Sequence, residues 1–122
     1  MNILFGNKEI DAIRSESKFT VLELDTIQPA PDQDTQTAYC LLSDIPLDEL
    51  SHLEEKIKMH HDMMNFYRTR QWSECRVLLE NLQGSWRGEV DSFYDEIVSR
   101  LDKLETESDL ADWDGVYRPW RN

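Results

Sequence analysis

The apolar periodicity of the chain changes once, near Pro46, and that change limits the fold more than any other feature. Before it the pattern suits strands. Asn2 to Phe5 is short and apolar and ends at Gly6. Asn7 is then placed as the N-cap of a short helix carrying Ile10 and Ile13. In FTVLELDTI, Phe19 to Ile27, Leu22 and Leu24 share one face. Phe19, Val21 and Ile27 share the other, with Glu23 and Asp25 among them. The Pro- and Asp-rich QPAPDQDTQ, Gln28 to Gln36, reads as a loop, and TAYCLL, Thr37 to Leu42, as a second strand. These segments predict a two- or three-stranded sheet built around a hairpin with a long loop.

After Pro46, which suits a first helical turn behind Ser43 or Asp44, the steps become three and four. Leu47, Leu50, Leu53, Ile57, Met64 and Tyr67, with His60 or His61 filling the gap, predict one helix of about 23 residues ending near Thr69. Trp72, Cys75, Leu78, Leu79 and Leu82 mark a second helix that Gly84 is placed to end. Val90, Phe93, Tyr94, Ile97, Val98, Leu101 and Leu104 mark a third. The fold class is therefore α+β, with a small N-terminal sheet and short helix followed by three helices. The 122 residues suffice for one domain, with a β-rich part at 1–43, a helical part at 44–106 and a packed tail at 107–122 that carries Trp113, Val116, Tyr117 and Trp120.

The stretch FYRTRQWSEC, Phe66 to Cys75, crowds aromatics, arginines and a cysteine between two helical stripes. The break at Arg70 and Gln71 is short enough to make the flanking helices antiparallel neighbours. Phe66, Trp72 and Cys75 then belong to one contact, and Arg68, Arg70 and Arg76 to its rim.

On these residues the chain resembles the tetratricopeptide repeat. Phe66 and Tyr67 match the aromatic pair that ends the family's first helix, Trp72 the aromatic that opens the second, and Cys75 the small residue three places on. Leu79 and Leu82 match later apolar places. Arg70, where a small residue is usual, and Asp62, where Gly is usual, depart from the pattern. The match runs from about Lys58 to Leu104, about one and a half repeats, against the roughly three that a free-standing solenoid needs. The tail DWDGVYR, Asp112 to Arg118, is similar to the motif closing such regions in some bacterial adenylate/guanylate cyclases; no cyclase catalytic domain fits beside it. TVLELDTI with its hairpin resembles small uncharacterised proteins of marine tailed phages. These likenesses imply a TPR-like hairpin module with its tail folded back, and no chemistry.

Composition narrows the partners. A net charge of −12 argues against gripping nucleic acid or an anionic membrane. No apolar run approaches the roughly 20 residues of a membrane span, and MNILFGNKEI lacks the pattern of a signal peptide. A cytoplasmic protein with reduced Cys40 and Cys75 is expected. From Glu89 to Asp114 ten acids face only Arg100 and Lys103, while Lys56, Lys58, Arg68, Arg70 and Arg76 cluster on the first helix pair. The two rims are expected to pair within the fold, and the acidic face alternatively to meet a basic partner.

Candidate chemistry is sparse. Glu49 and His52 form a single Glu-x-x-His pair, whereas di-iron bundles use two. The histidines are expected at the solvent or the rim of the first helix, and Cys75 is expected to pack rather than react. We therefore expect no catalytic, cofactor or metal residue and a non-enzymatic adaptor that binds a protein through Tyr67, Arg68, Arg70, Trp113, Tyr117, Arg118 and Trp120. The exposed hairpin ends are compatible with a homodimer. The alternatives are an acidic mimic of nucleic acid that occupies a basic protein surface, and a metal-dependent hydrolase using His60, His61 and Asp62.

Overall fold

The computed structural model describes residues 2–5, 20–42, 50–106 and 113–119. The chain forms two compact units: residues 1–46 with 115–122, and residues 47–114. The first is a sheet and the second helical, so the chain is α+β as its periodicity predicts. The tail expected as one piece is divided, with Trp113 and Asp114 in the helical unit and Gly115 to Pro119 in the sheet unit.

The sheet contains strands β1 (Asn2–Phe5), β2 (Thr20–Ile27), β3 (Gln36–Leu42) and β4 (Val116–Tyr117), in the order β1-β3-β2-β4. β1, β2 and β3 fall on the three segments expected as strands, and β4 is an addition to the expected two- or three-stranded sheet. β1 pairs antiparallel with β3, and the two-residue β4 lies parallel to β2. The short helix expected at Asn7 to Ile13 lies outside the described residues. On β2 the predicted alternation holds through Leu22 and Leu24 and then fails, because Leu24 and Asp25 are both buried. The pairing with β3 shifts register between Glu23 and Thr26. A bulge there turns two successive side chains inward. The Pro-rich loop is tied down by Gln28. Its side-chain amide donates to the carbonyls of Pro31 and Gln33, while its Oε1 accepts from Arg118 Nε at 2.7 Å. Its backbone N–H meets the Tyr117 carbonyl at 2.9 Å.

The helical unit contains α1 (Leu53–Arg68), α2 (Trp72–Leu82) and α3 (Asp91–Leu104). α1 has 16 residues, shorter than expected, because the chain turns at Ser51 and His52 before the helix starts. Met63, Met64 and Tyr67 of α1, Cys75, Leu79 and Leu82 of α2, and Tyr94, Ile97 and Leu101 of α3 are buried together with Trp86. No helix among the described residues is long and apolar enough to cross a membrane.

Both interhelical connections pass through left-handed backbone. At the elbow, Arg70 has φ 64°, the Gln71 N–H bonds the Phe66 carbonyl at 2.9 Å and the Arg70 N–H reaches the Tyr67 carbonyl at 3.4 Å. This pair of bonds is the Schellman ending, whose left-handed position is usually Gly. After α2, Gly84 takes φ 81°, as expected of a terminating glycine. The chain then turns over Ser85–Gly88 with Trp86 at φ 56° and Arg87 at φ 54°. An L-residue there costs about 1–2 kcal/mol, so two in succession need firm anchoring.

Arg70→Gly removes that cost at the elbow while adding about 0.4–1 kcal/mol of unfolded-chain freedom. The variant is expected to be more stable by about 0.5–1 kcal/mol. A higher urea midpoint at unchanged slope confirms this; a lower midpoint refutes it.

Candidate functional site: the aromatic elbow, the buried histidine and the Arg76 clamp

An α-helix leaves its last four carbonyls without intrahelical donors. At the end of α1 all four are met. The Asn65 carbonyl accepts from the Thr69 N–H and from Thr69 Oγ1 at 2.8 Å. Phe66 and Tyr67 are satisfied by the Schellman bonds. The Arg68 carbonyl accepts from the indole Nε1–H of Trp113 at 2.9 Å. The same indole stands edge-on to Tyr67 (centroids 5.3 Å, 84°) and to Trp72 (5.7 Å, 77°). Such T-shaped pairs contribute about 0.5–1.5 kcal/mol each beyond area burial.

This cluster brings together Tyr67, the backbone carbonyl of Arg68 and the half-buried Trp113, of the residues expected to bind a partner. Tyr67 is 1 % exposed, so its ring presents no surface to another molecule. Arg70 is exposed on the elbow. Tyr117 and Arg118 belong to the sheet unit, where the Tyr117 carbonyl and the Arg118 guanidinium both bond Gln28. Trp120 lies outside the described residues.

The second cluster centres on His60. Expected at the rim, it is instead fully buried, as is Tyr94. Of the two histidines available to the apolar stripe, His60 takes the inward place, and His61 stands edge-on beside it at 6.2 Å. The indole Nε1–H of Trp86 donates to Tyr94 Oη at 3.1 Å, and Tyr94 Oη lies 3.0 Å from His60 Nδ1. Trp Nε1–H only donates, so Tyr94 Oη accepts from Trp86 and shares a second hydrogen bond with His60 Nδ1. These bonds anchor the left-handed turn through its buried indole. Lys56 Nζ lies 5.9 Å over the same ring, and Asp91 Oδ1 accepts from the Gly84 N–H at 3.0 Å. The sequence signal for this cluster was weak: one histidine in an apolar stripe, and a Trp between two glycines.

The third cluster joins α2 to the end of α3. Arg76 donates from Nε to Glu105 Oε1 at 2.7 Å, and from Nη2 to Glu105 Oε2 at 3.1 Å and Asp102 Oδ1 at 2.6 Å. The basic rim of the hairpin thus meets the acidic rim of the third helix at this point. The Arg76 hydrogen bond holds the Glu105 carboxyl below its ordinary 4.5. Within α3, Arg100 pairs with Glu96 at 3.2 Å.

Cys75 lies fully buried in the α2 face, and burial raises its thiol to about 12, with Arg76 opposing weakly. A thiol so raised is not a nucleophile at neutral pH. Cys40 is buried as well, and both are free. Among the described residues, no three His, Cys, Asp or Glu side chains gather as metal ligands. His60 turns to Tyr94, while Asp62 Oδ2 pairs with Lys58 at 2.6 Å. His52 is exposed and stands 3.7 Å from Glu55; its expected partner Glu49 lies outside the described residues.

No protein-family model matches the chain, and no curated protein or solved structure matches it either.

Two predictions follow from this geometry. Trp113→Ala removes the Arg68 carbonyl's donor and two ring contacts from a half-buried site, and is expected to cost about 2 kcal/mol. Chemical denaturation measures this; a loss below about 0.5 kcal/mol would make the cluster incidental. The Glu105 contribution is present above the unfolded carboxyl value and lost as pH falls through the lower folded value. Denaturation midpoints of wild type and Glu105→Gln should therefore differ at neutral pH and converge as acidification carries the pH below the ordinary carboxyl value of 4.5. A gap independent of pH contradicts this.

Proposed function

We propose that the protein is a non-enzymatic interaction module whose helical unit binds a basic, partly aliphatic segment of another protein. The observation behind this reading is a cleft of about 280 Å³ lined by Arg76, Leu79, Glu80, Gln83, Asp95 and Val98. Ordinary small-molecule pockets run from about 300 to 1,000 Å³, so the cleft suits one or two protein side chains better. The half-buried Val98, backed by the buried Leu79, supplies an apolar floor. At one end Arg76 is neutralised by Asp102 and Glu105. Asp95 accepts only an uncharged amide from Gln83, and Glu80 stands exposed at the rim. A lysine or arginine whose stem crosses Val98 would set its charge between these two carboxylates.

The acidic-mimic reading has less support. Arg76 and Arg100 hold Asp102, Glu105 and Glu96, three of the acids that would have to imitate phosphates. The hydrolase reading finds its three residues facing different partners.

Selection of random displayed peptides against the full chain tests the proposal. Enrichment of Lys or Arg beside aliphatic residues is expected, with binding weakened at least about tenfold by the double variant Glu80→Lys, Asp95→Lys. Failure to enrich any sequence, or binding indifferent to the double variant, overturns it. Displacement of the bound peptides by duplex DNA would favour the mimic.

A further inference from the structure

We infer that Asp102 and Glu105 control whether the cleft can take a cation, by holding Arg76 off Glu80. This role rests on the cleft being the binding site and adds what regulates it. Two contacts cross from α2 to α3 at the ends of the cleft. Arg76 reaches Asp102 at 2.6 Å, and the Gln83 amide reaches Asp95 at 3.0 Å. They stand seven positions apart on both helices, two turns or about 10 Å. Glu80 of α2 and Val98 of α3 lie between them in sequence and both line the cleft. Asp102 and Glu105 do not line it.

Arg76 has two sets of acids to choose from. On a helix, residues three and four apart are surface neighbours. Of the four such positions around Arg76 on α2 (Trp72, Ser73, Leu79 and Glu80) only Glu80 is acidic. Across the seam stand Asp102, in the last turn of α3, and Glu105, just beyond it. The guanidinium takes this second set. Its Nε and Nη2 make three charge-assisted bonds there, two of them as a fork on Glu105. The alternative is one intrahelical pair with the cation N-terminal to the acid, the weaker of the two orders. Glu80 is left exposed, with no ion pair among the described residues.

Loss of Asp102 and Glu105 reverses the choice, because Glu80 is then the acid at helical spacing from Arg76. A guanidinium on Glu80 neutralises one of the two carboxylates offered to a partner's cation, and its own charge repels that cation. Arg76 is thus a built-in competitor for the cleft. Asp102 and Glu105 are positioning residues that act through it, at a distance from the bound side chain.

Two readouts on the full chain test this, and the first needs no partner. In the variant Asp102→Asn, Glu105→Gln, nuclear magnetic resonance should show Overhauser contacts between the Arg76 side chain and the Glu80 methylenes that wild type lacks. An Arg76 Nε–H that exchanges freely with solvent and shows no such contact overturns the inference. The second readout is a cycle with the selected basic peptides. Arg76→Gln should strengthen binding at least about threefold more in the Asp102→Asn, Glu105→Gln background than in wild type. Equal gains in both backgrounds reflect net charge alone and also overturn it. Failure of every peptide to bind wild type removes the cleft reading, and the regulatory role with it, even where Arg76 moves to Glu80. If the double variant does not fold, Glu105→Gln alone, which removes two of the three bonds, takes its place under the same criteria.

Discussion

The end of α1 has to find donors for four carbonyls, and the helical unit is organised around the solution. The first three are met locally, by Thr69, Arg70 and Gln71. The fourth is met by a tryptophan 45 residues away. Leaving a carbonyl unmet away from water costs about 1–3 kcal/mol, and the indole of Trp113 completes this part-buried helix end. Tyr67 and Trp72, the residues that made the elbow legible, form the walls against which this indole stands. The α1–α2 turn, the aromatic cluster and the start of the closing segment are therefore parts of one hydrogen-bonding requirement.

The second connection solves the opposite problem. At the elbow a single left-handed residue is offset by two backbone bonds. After α2 the chain places Trp86, Arg87 and Gly88 at positive φ in succession, with Gly84 before them. Local bonding does not favour such a run. A tertiary anchor does: the indole is buried to 2 % exposure and bonded to Tyr94. Aromatic burial and a polar handle on one side chain hold backbone that neither would hold alone.

The parts that could be read from residues alone are those with a period. β2, β3, α2 and α3 lie within a residue or so of where alternation and three- and four-residue steps put them, because burial of one face is a local signal. Breaks in a period were invisible. Ser51 and His52 interrupt what reads as one helix, and the bulge at Leu24 and Asp25 turns a charged residue inward. A two-residue strand such as β4 has no periodicity to show. At the candidate site, Phe66, Trp72 and Cys75 announced the elbow, but nothing in Trp113 announced that its donor would be used internally. A histidine in an apolar stripe also leaves two readings, rim or core, until the hydroxyl of Tyr94, 34 positions on, is placed beside it.

The sheet unit is assembled from both sides of a long insertion. Gln28 accepts from Arg118 across 90 positions of chain, and β4 is the only described strand that lies beyond the helices. Closing a loop of that length carries an entropic penalty that grows only slowly with its size, but it slows the search for the native pairing. The helical hairpins close over much shorter spans. The kinetic order follows from topology: helices form early, and the parallel edge of β2 stays open until the chain beyond them has returned. In that interval β2 presents unpaired backbone donors and acceptors. The glutamine that holds the Pro-rich loop is also the residue that captures the returning strand.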